Sequence, residues 1–342
     1  MSQSALRVDM HAHFYGGGLD DMLHRRSSRP YLRHRDDGTQ AMVAMNGEFP
    51  FKPDYFDINV GLAQMDRQGL THRMLTFPGA LGLDALPAAE VAPAISAFNT
   101  YLARLRHETD GRIFGLAGLP LADIGLAVAE VRRIRRDLNL PGIILPSNYF
   151  NAIGDAKALA PILAAANETG CHIMLHPGLR TGEAPPPAPP DFMQYRTSAV
   201  ALQSQIAQNV LTMILSDIMD IWPRLSFQIV NLGGTIPFIY ERMEAIARHR
   251  NPDTPFPTRK LRNLWYDCAS LGPRALEAAV GLYGPDRIFL GSDFPIFTEN
   301  PYEGAIRPAE ISDEAKAMIA GTNAKNLLDA LSEPRPEAAG GI

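Results

Sequence analysis

Residues 113–145 read IFGLAGLPLADIGLAVAEVRRIRRDLNLPGIIL, and their pattern decides the fold class. The stretch opens with an apolar, β-rich run, Ile113–Leu119, and closes with another, Gly142–Leu145. Between them, Ala122–Asn139 carries apolar residues at helical spacing. Asp123 stands where an N-cap carboxylate accepts one of the helix's free amides. The flanking runs are apolar on both faces, as strands buried on both sides are. Strand, helix and strand in close succession make the repeating unit of a parallel α/β fold.

The same rhythm extends to both ends of the chain. Further strands are expected at Leu6–Met10, His72–Phe77, His172–His176, Phe227–Asn231, Leu264–Cys268 and Ile288–Gly291, giving eight in all. Further helical patterns cover Asp155–Thr169, Thr197–Ile221 and Ile236–Arg250. Eight strands with interleaved helices in 342 residues match an α/β (β/α)8 TIM barrel. A doubly wound open sheet is the alternative, but no glycine fingerprint follows any strand in the way that fold requires. The expectation is one catalytic domain over residues 1–332, with 333–342 as a flexible Pro-, Glu-, Ala- and Gly-rich tail.

Two segments break the rhythm. Residues 14–56 read as a long irregular insertion containing Gly16-Gly17-Gly18 and the basic stretch His24–Arg35. Residues 180–196 include Pro185-Pro186-Pro187 and Pro189-Pro190. Both follow strands, on the side where barrel enzymes build their sites, so they read as active-site loops or as solvated excursions. Arg25, Arg26, Arg29, Arg33 and Arg35 would draw an anionic substrate toward the mouth, or else form an ordinary solvated face.

Composition narrows the function classes. Hydrophobic residues make up 46% and charged residues 20%, enough to fill a large core and too balanced for wholesale disorder. A net charge of −5 gives no reason to expect nucleic acid. The N-terminus lacks the apolar core of a signal peptide, and no apolar run reaches the roughly 18 residues of a membrane span. The two cysteines, Cys171 and Cys268, do not make a disulfide framework. A cytoplasmic protein acting on a small molecule is expected.

Chemistry concentrates at strand ends. His11-Ala12-His13 follows the first expected strand, and alternate residues of an extended backbone point to one side, so both imidazoles can enter the barrel. His176 ends the fifth strand and Asp293 follows the eighth. All four therefore lie around one mouth. Three imidazoles and a carboxylate suit one divalent ion, Zn2+ first, with Mn2+ or Fe2+ as alternatives. Such an ion lowers the pKa of a bound water toward about 7, and Asp293 would take its proton. His72 and His172 begin their strands, at the opposite end, and read as structural.

With these residues in view, the sequence resembles the amidohydrolase superfamily, in the branch that contains aminocarboxymuconate-semialdehyde decarboxylase. The resemblance covers roughly residues 6–330. It rests on VDMHAH (8–13), LAQMDRQGLTHRMLTFPG (62–79), RIFGLAGLPLAD (112–123) and GIILPSN (142–148). It continues through HIMLHPG (172–178), WPRLSFQIVNLGGTIPFIYER (222–242), DRIFLGSDFP (286–295) and GTNAKNLL (321–328). The resemblance implies that His11, His13, His176 and Asp293 bind the metal. It also implies a homodimer or homotetramer. Binuclear superfamily members carry a bridging lysine on the fourth strand; GIILPS offers none, so one metal is expected.

The departures from the family pattern bear on the reaction. Members of the branch usually have a histidine before the Gly-Gly turn after the sixth strand, implicated in proton transfer in the decarboxylases. Asn231 stands there, and a carboxamide hydrogen-bonds but does not titrate near neutrality. Asn231 would orient or polarise a substrate carbonyl rather than shuttle a proton. Hydrolysis of a small carboxylated or aromatic-derived substrate by the metal-bound water, C–C bond hydrolysis included, is therefore the first expectation. The alternative is a non-oxidative decarboxylase (a carboxy-lyase) of an aryl or muconate-type acid, and a minor alternative is a non-catalytic metal-binding barrel. Lys52 and Phe294 are the candidate substrate contacts.

Overall fold

The computed structural model describes residues 5–45 and 47–332. Its strands are, in chain order, β1 Val8–His13, β2 Tyr31–His34, β3 Gln40–Ala44, β4 Gly47–Phe51, β5 His72–Thr76, β6 Ile113–Ala117, β7 Gly142–Pro146, β8 His172–His176, β9 Ser226–Ile229, β10 Trp265–Asp267 and β11 Ile288–Phe289. β1 and β5 through β11 form one eight-stranded sheet in chain order, and every paired neighbour in it is parallel. The last strand returns to the first: Met10 N donates to Leu290 O at 2.9 Å, and Ser292 N and Asp293 N donate to His11 O at 3.2 and 2.8 Å. This is the (β/α)8 barrel expected from the sequence.

Sequence chemistry explains the local choices. Asp123 caps the helix Ile124–Arg136 by accepting from Leu126 N at 3.0 Å, and three arginines in the last turn complement the helix dipole. The strands that surround it, β6 and β7, are buried at every position. Gly142 opens β7 where an added Cβ would stand 1.8 Å from the carbonyl oxygen of His172, so only glycine lets these two strands pair. Ile236–Arg250 is helical over the expected span.

Several expected boundaries change. β1 begins at Val8 rather than Leu6 and runs through His13, so both histidines lie within the strand. β11 stops after Phe289, because Leu290 N donates to Ile319 O, outside the sheet, at 2.9 Å; the chain then turns at Asp293, whose φ is 58°. The pattern over Asp155–Thr169 divides into two short turns, Ile153–Ala156 and Lys157–Leu159, and a helix, Ala160–Thr169. Thr197–Ile221 divides into a wide turn Arg196–Ala201, a helix Leu202–Leu215 and a last turn Ile218–Ile221, with Ser216 extended between the latter two. The largest correction is residues 14–56. They are not irregular but hold a helix, Leu19–Arg25, and an antiparallel three-stranded sheet, β2-β3-β4.

The Pro-rich segment from residue 180 is pinned at its start to the loop after β7. Asn148 Nδ2 donates to Glu183 Oε2 at 3.0 Å, and Thr181 N donates to the Tyr149 hydroxyl at 3.2 Å. Both cysteines are buried free thiols, and burial pushes each up to about 12. Among the described residues, no helix is long and apolar enough to cross a membrane. The tail expected at 333–342 lies outside the described residues.

Candidate metal centre

β1, β8 and the turn after β11 bring His11, His13, His176 and Asp293 together. One nitrogen from each imidazole and one carboxylate oxygen all lie within 4.8 Å of one another. The three rings meet edge-on, with centroids 4.5–5.2 Å apart. Asp293 Oδ1 lies 3.2 Å from His13 Nε2 and 3.7 Å from His11 Nε2, and its side chain keeps 16% exposure where the three rings are buried.

Each imidazole is oriented through its other nitrogen. His11 Nδ1 meets Asp267 Oδ1 at 3.0 Å, His13 Nδ1 meets Thr76 Oγ1 at 2.6 Å, and His176 Nδ1 meets Pro177 O at 3.1 Å. A carboxylate or a carbonyl accepts only, so Nδ1 of His11 and of His176 carries the proton and Nε2 is left to face the cluster. His11 Nε2 is buried and has no hydrogen-bond partner among the described residues. An orphaned buried nitrogen calls for a ligand, and this set of donors is the one a divalent ion takes.

The surroundings favour positive charge at His11, so a proton and a metal ion compete for its Nε2. Burial works against a charged His11, but Asp267, with Asp293 and Asp9 behind it, outweighs burial and lifts the group to about 9. Burial lowers His13, with Asp293 opposing, and burial together with the two neighbouring histidines holds His176 well below its usual value. Asp267 stays ionised: burial pushes it up, yet the His11 charge and the bonds from His11 and Gln228 pull it lower. The cluster is thus a buried site with acidic surroundings that favour a cation.

Asp267 was not singled out from the sequence. The signal was an acidic residue inside the apolar run Leu264–Cys268, since a buried carboxylate needs partners. Its partners are His11, Gln228 Nε2 at 2.7 Å, and the amides of Asn231 and Ala269, both at 3.2 Å. Tyr15 and Tyr55 were missed too. Their rings stand 5.2 Å apart, with Phe51 packed against both. Burial first, and then Tyr55 and Asp293, push the Tyr15 phenol far up, so it stays a neutral donor.

The remaining candidates are placed as follows. Asn231 adopts φ 52° and gives its Nδ2 to Ala269 O at 3.2 Å and Ser270 Oγ at 2.9 Å, so its carboxamide braces the loop after β10. Phe294 is buried but turned outward: its ring lies 4.5 Å from the Arg73 guanidinium and borders a small cavity with Phe14 and Met65. That face is opposite to the ligand cluster. Lys52 is exposed at the start of the turn Pro53–Phe56, with no hydrogen bond or ion pair to the cluster among the described residues. Arg33 and Arg35 are paired with Glu48 on the surface, and the largely buried Arg26 side chain with Glu90. His72 and His172 lie at the opposite strand ends, as expected, and His172 is held by Ser226 Oγ at 2.9 Å and Gln228 Oε1 at 3.0 Å.

The family model described as Amidohydrolase matches residues 8–330. This chain belongs to the amidohydrolase family. The 2-amino-3-carboxymuconate-6-semialdehyde decarboxylase of Dictyostelium discoideum is 25% identical to this amidohydrolase, over 95% of the chain and 92% of that protein. A gamma-resorcylate decarboxylase of Rhizobium radiobacter is 24% identical over 78% and 85%. The solved structure of a dihydroxybenzoic acid decarboxylase of Polaromonas, with bound manganese, superposes with a TM-score of 0.68 at 19% identity, covering 95% of this chain and 97% of that one.

Proposed function

We propose that this amidohydrolase is a non-oxidative decarboxylase of a small aromatic or muconate-type carboxylic acid. It depends on one divalent ion held by His11, His13, His176 and Asp293. Zn2+ is favoured by the three-imidazole donor set, and Mn2+, the ion bound in the structural neighbour, is the alternative. The observation that carries the choice of reaction is that the two relatives reported above are both named decarboxylases, at 25% and 24% identity. Hydrolysis, the first expectation from the sequence, has no such specific support.

When bound, the ion supplies a Lewis acid that takes substrate oxygen and stabilises the negative charge that develops as the C–C bond breaks. The chain's own residues do the rest. The electron pair of that bond stays on the substrate carbon, CO2 leaves, and a proton must reach the carbon. The three histidines are buried with Nδ1 committed, and Asn231 does not titrate. Asp293 is the cluster member with an outlet to the mouth, and it is assigned to take up a solvent proton and deliver it to that carbon. Tyr55, half-buried against the buried Tyr15 and Phe51 rings, is the member of that aromatic cluster with surface left for a planar substrate.

The test is a substrate panel. Hydroxybenzoates, other aryl carboxylates, lactones and amides are incubated with the metal-loaded protein and assayed in parallel for CO2 and for acid. CO2 from at least one carboxylate supports the reading. Acid from a lactone or amide, with no CO2 from any carboxylate, returns the assignment to hydrolysis.

A further inference from the structure

β1 holds three steps from Asp9 to Ala12 where its neighbour β5 holds two, from Arg73 to Leu75. The extra residue is a bulge, and it breaks the alternation that would put Asp9 on the same face as His11 and His13. The Asp9 carboxylate instead turns to Arg73, its register partner, and both side chains are buried. Arg73 Nε donates to Asp9 Oδ2 at 2.8 Å, and a second guanidinium nitrogen donates to Gln64 Oε1 at 2.7 Å, on the helix outside the barrel.

Asp9 spends its other acceptor positions on the metal-ligand segments. Its Oδ1 accepts from His11 N at 3.2 Å and Ser292 N at 3.0 Å, and its Oδ2 accepts from Ser292 Oγ at 2.6 Å. Ser292 Oγ accepts in turn from Phe294 N at 3.0 Å, and the Phe294 ring lies under the Arg73 guanidinium at 4.5 Å. Both neighbours of Asp293 are therefore held by the Asp9–Arg73 pair. Asp293 itself sits at φ 58°, a left-handed conformation that aspartate tolerates better than most residues but that still needs its neighbours held to aim the side chain. A buried ion pair is a poor source of stability, because desolvation offsets most of its attraction. Its value here is in fixing position.

We propose that Arg73 is a positioning residue for the metal centre: through Asp9 and Phe294 it holds the Ser292–Asp293–Phe294 turn so that the Asp293 carboxylate faces His13. This rests on reading His11, His13, His176 and Asp293 as ligands. It does not depend on which reaction follows.

Binding of Mn2+ and of Zn2+ to the metal-stripped full chain is measured by calorimetry, well below each variant's unfolding temperature. The proteins compared are wild type, Ser292→Ala, Arg73→Lys, Arg73→Met and, as a structural control, Asn99→Ala. Asn99 bonds the backbone of Gly118 and has no place in the ligand network. Ser292→Ala and Arg73→Met are expected to weaken binding by about 10–100-fold, the usual cost of losing a partner behind the ligands, with Arg73→Lys in between. Asn99→Ala should lower the unfolding temperature and leave metal affinity unchanged. Should Arg73→Met not fold, Ser292→Ala and Arg73→Lys decide the matter. Wild-type affinity in both, or an equal loss in Asn99→Ala, overturns the proposal. A wild type that binds neither ion overturns the ligand reading, and the positioning role with it.

Discussion

Asp267 Oδ1 lies 3.0 Å from Nδ1 of His11, and both side chains are wholly buried. One oxygen of a strand-end carboxylate thus fixes the tautomer of an imidazole on the first strand, and with it the direction of the Nε2 lone pair. The other oxygen accepts from Gln228. Asp267→Asn keeps the size but replaces an accepting oxygen by a donating amide in half of its orientations. Metal affinity should fall by about 10–100-fold, read by calorimetry, with the fold retained by circular dichroism. Unchanged affinity would remove Asp267 from the account.

Asn231 is placed by its backbone and its amide bonds more than by the substrate. Asn231→Ala should destabilise the protein by about 1–3 kcal/mol, because the buried Ala269 carbonyl loses its donor and the part-buried bond to Ser270 is lost with it. Decarboxylation should fall by less than about tenfold. A loss of roughly 100- to 10,000-fold, the range a general acid contributes, would put Asn231 in the chemistry instead.

Asp84 is buried in the loop after β5, and its Oδ1 has no hydrogen-bond partner among the described residues. Burial raises it to about 8 against the pull of its own amide and that of Ala85. The folded state therefore holds a proton that the unfolded chain releases near pH 4, so stability falls as pH rises from about 4 to 8 and then levels. His172 acts on the other side. Burial lowers it to about 4, so its contribution is lost as pH falls from about 6.5 toward 4. Chemical denaturation should show Asp84→Asn removing the loss of stability with rising pH over the whole range from about 4 to 8, most cleanly above about 6.5, where His172 no longer contributes. A slope identical to wild type would contradict the assignment.

Gly142→Ala tests the packing of β7 on β8. The new Cβ would stand 1.8 Å from a backbone oxygen that cannot move without parting the strands. The variant should lose at least about 3 kcal/mol of stability, or fail to accumulate as folded protein. A shift in unfolding temperature of only a degree or two would show that the strands separate more easily than this.

The barrel and the convergence of His11, His13, His176 and Asp293 on one mouth could be read from the sequence because each rests on a local signal. β6 and β7 are apolar runs around a capped amphipathic helix, and His11, His13 and His176 lie in similar runs. The insertion could not be read so. Tyr31–His34 and Gly47–Phe51 are short, polar or interrupted by Pro50, and only antiparallel pairing with Gln40–Ala44 makes them strands. Phe294 was placed by its neighbour in sequence, but the left-handed turn at Asp293 sends the two side chains to opposite faces. Asp267 depends on His11, 256 residues away, and no local pattern announces that pairing.

The proposed reaction is a metal-dependent loss of CO2. The most direct measurement strips the protein of metal, adds Mn2+ or Zn2+ in steps, and follows labelled CO2 released from carboxyl-labelled aryl acids. No release is expected without metal, then a rise that stops at about one ion per chain, as a mononuclear site requires. Turnover by the stripped protein, or a metal-dependent release of acid from lactones or amides with no CO2 from any carboxylate, would contradict it.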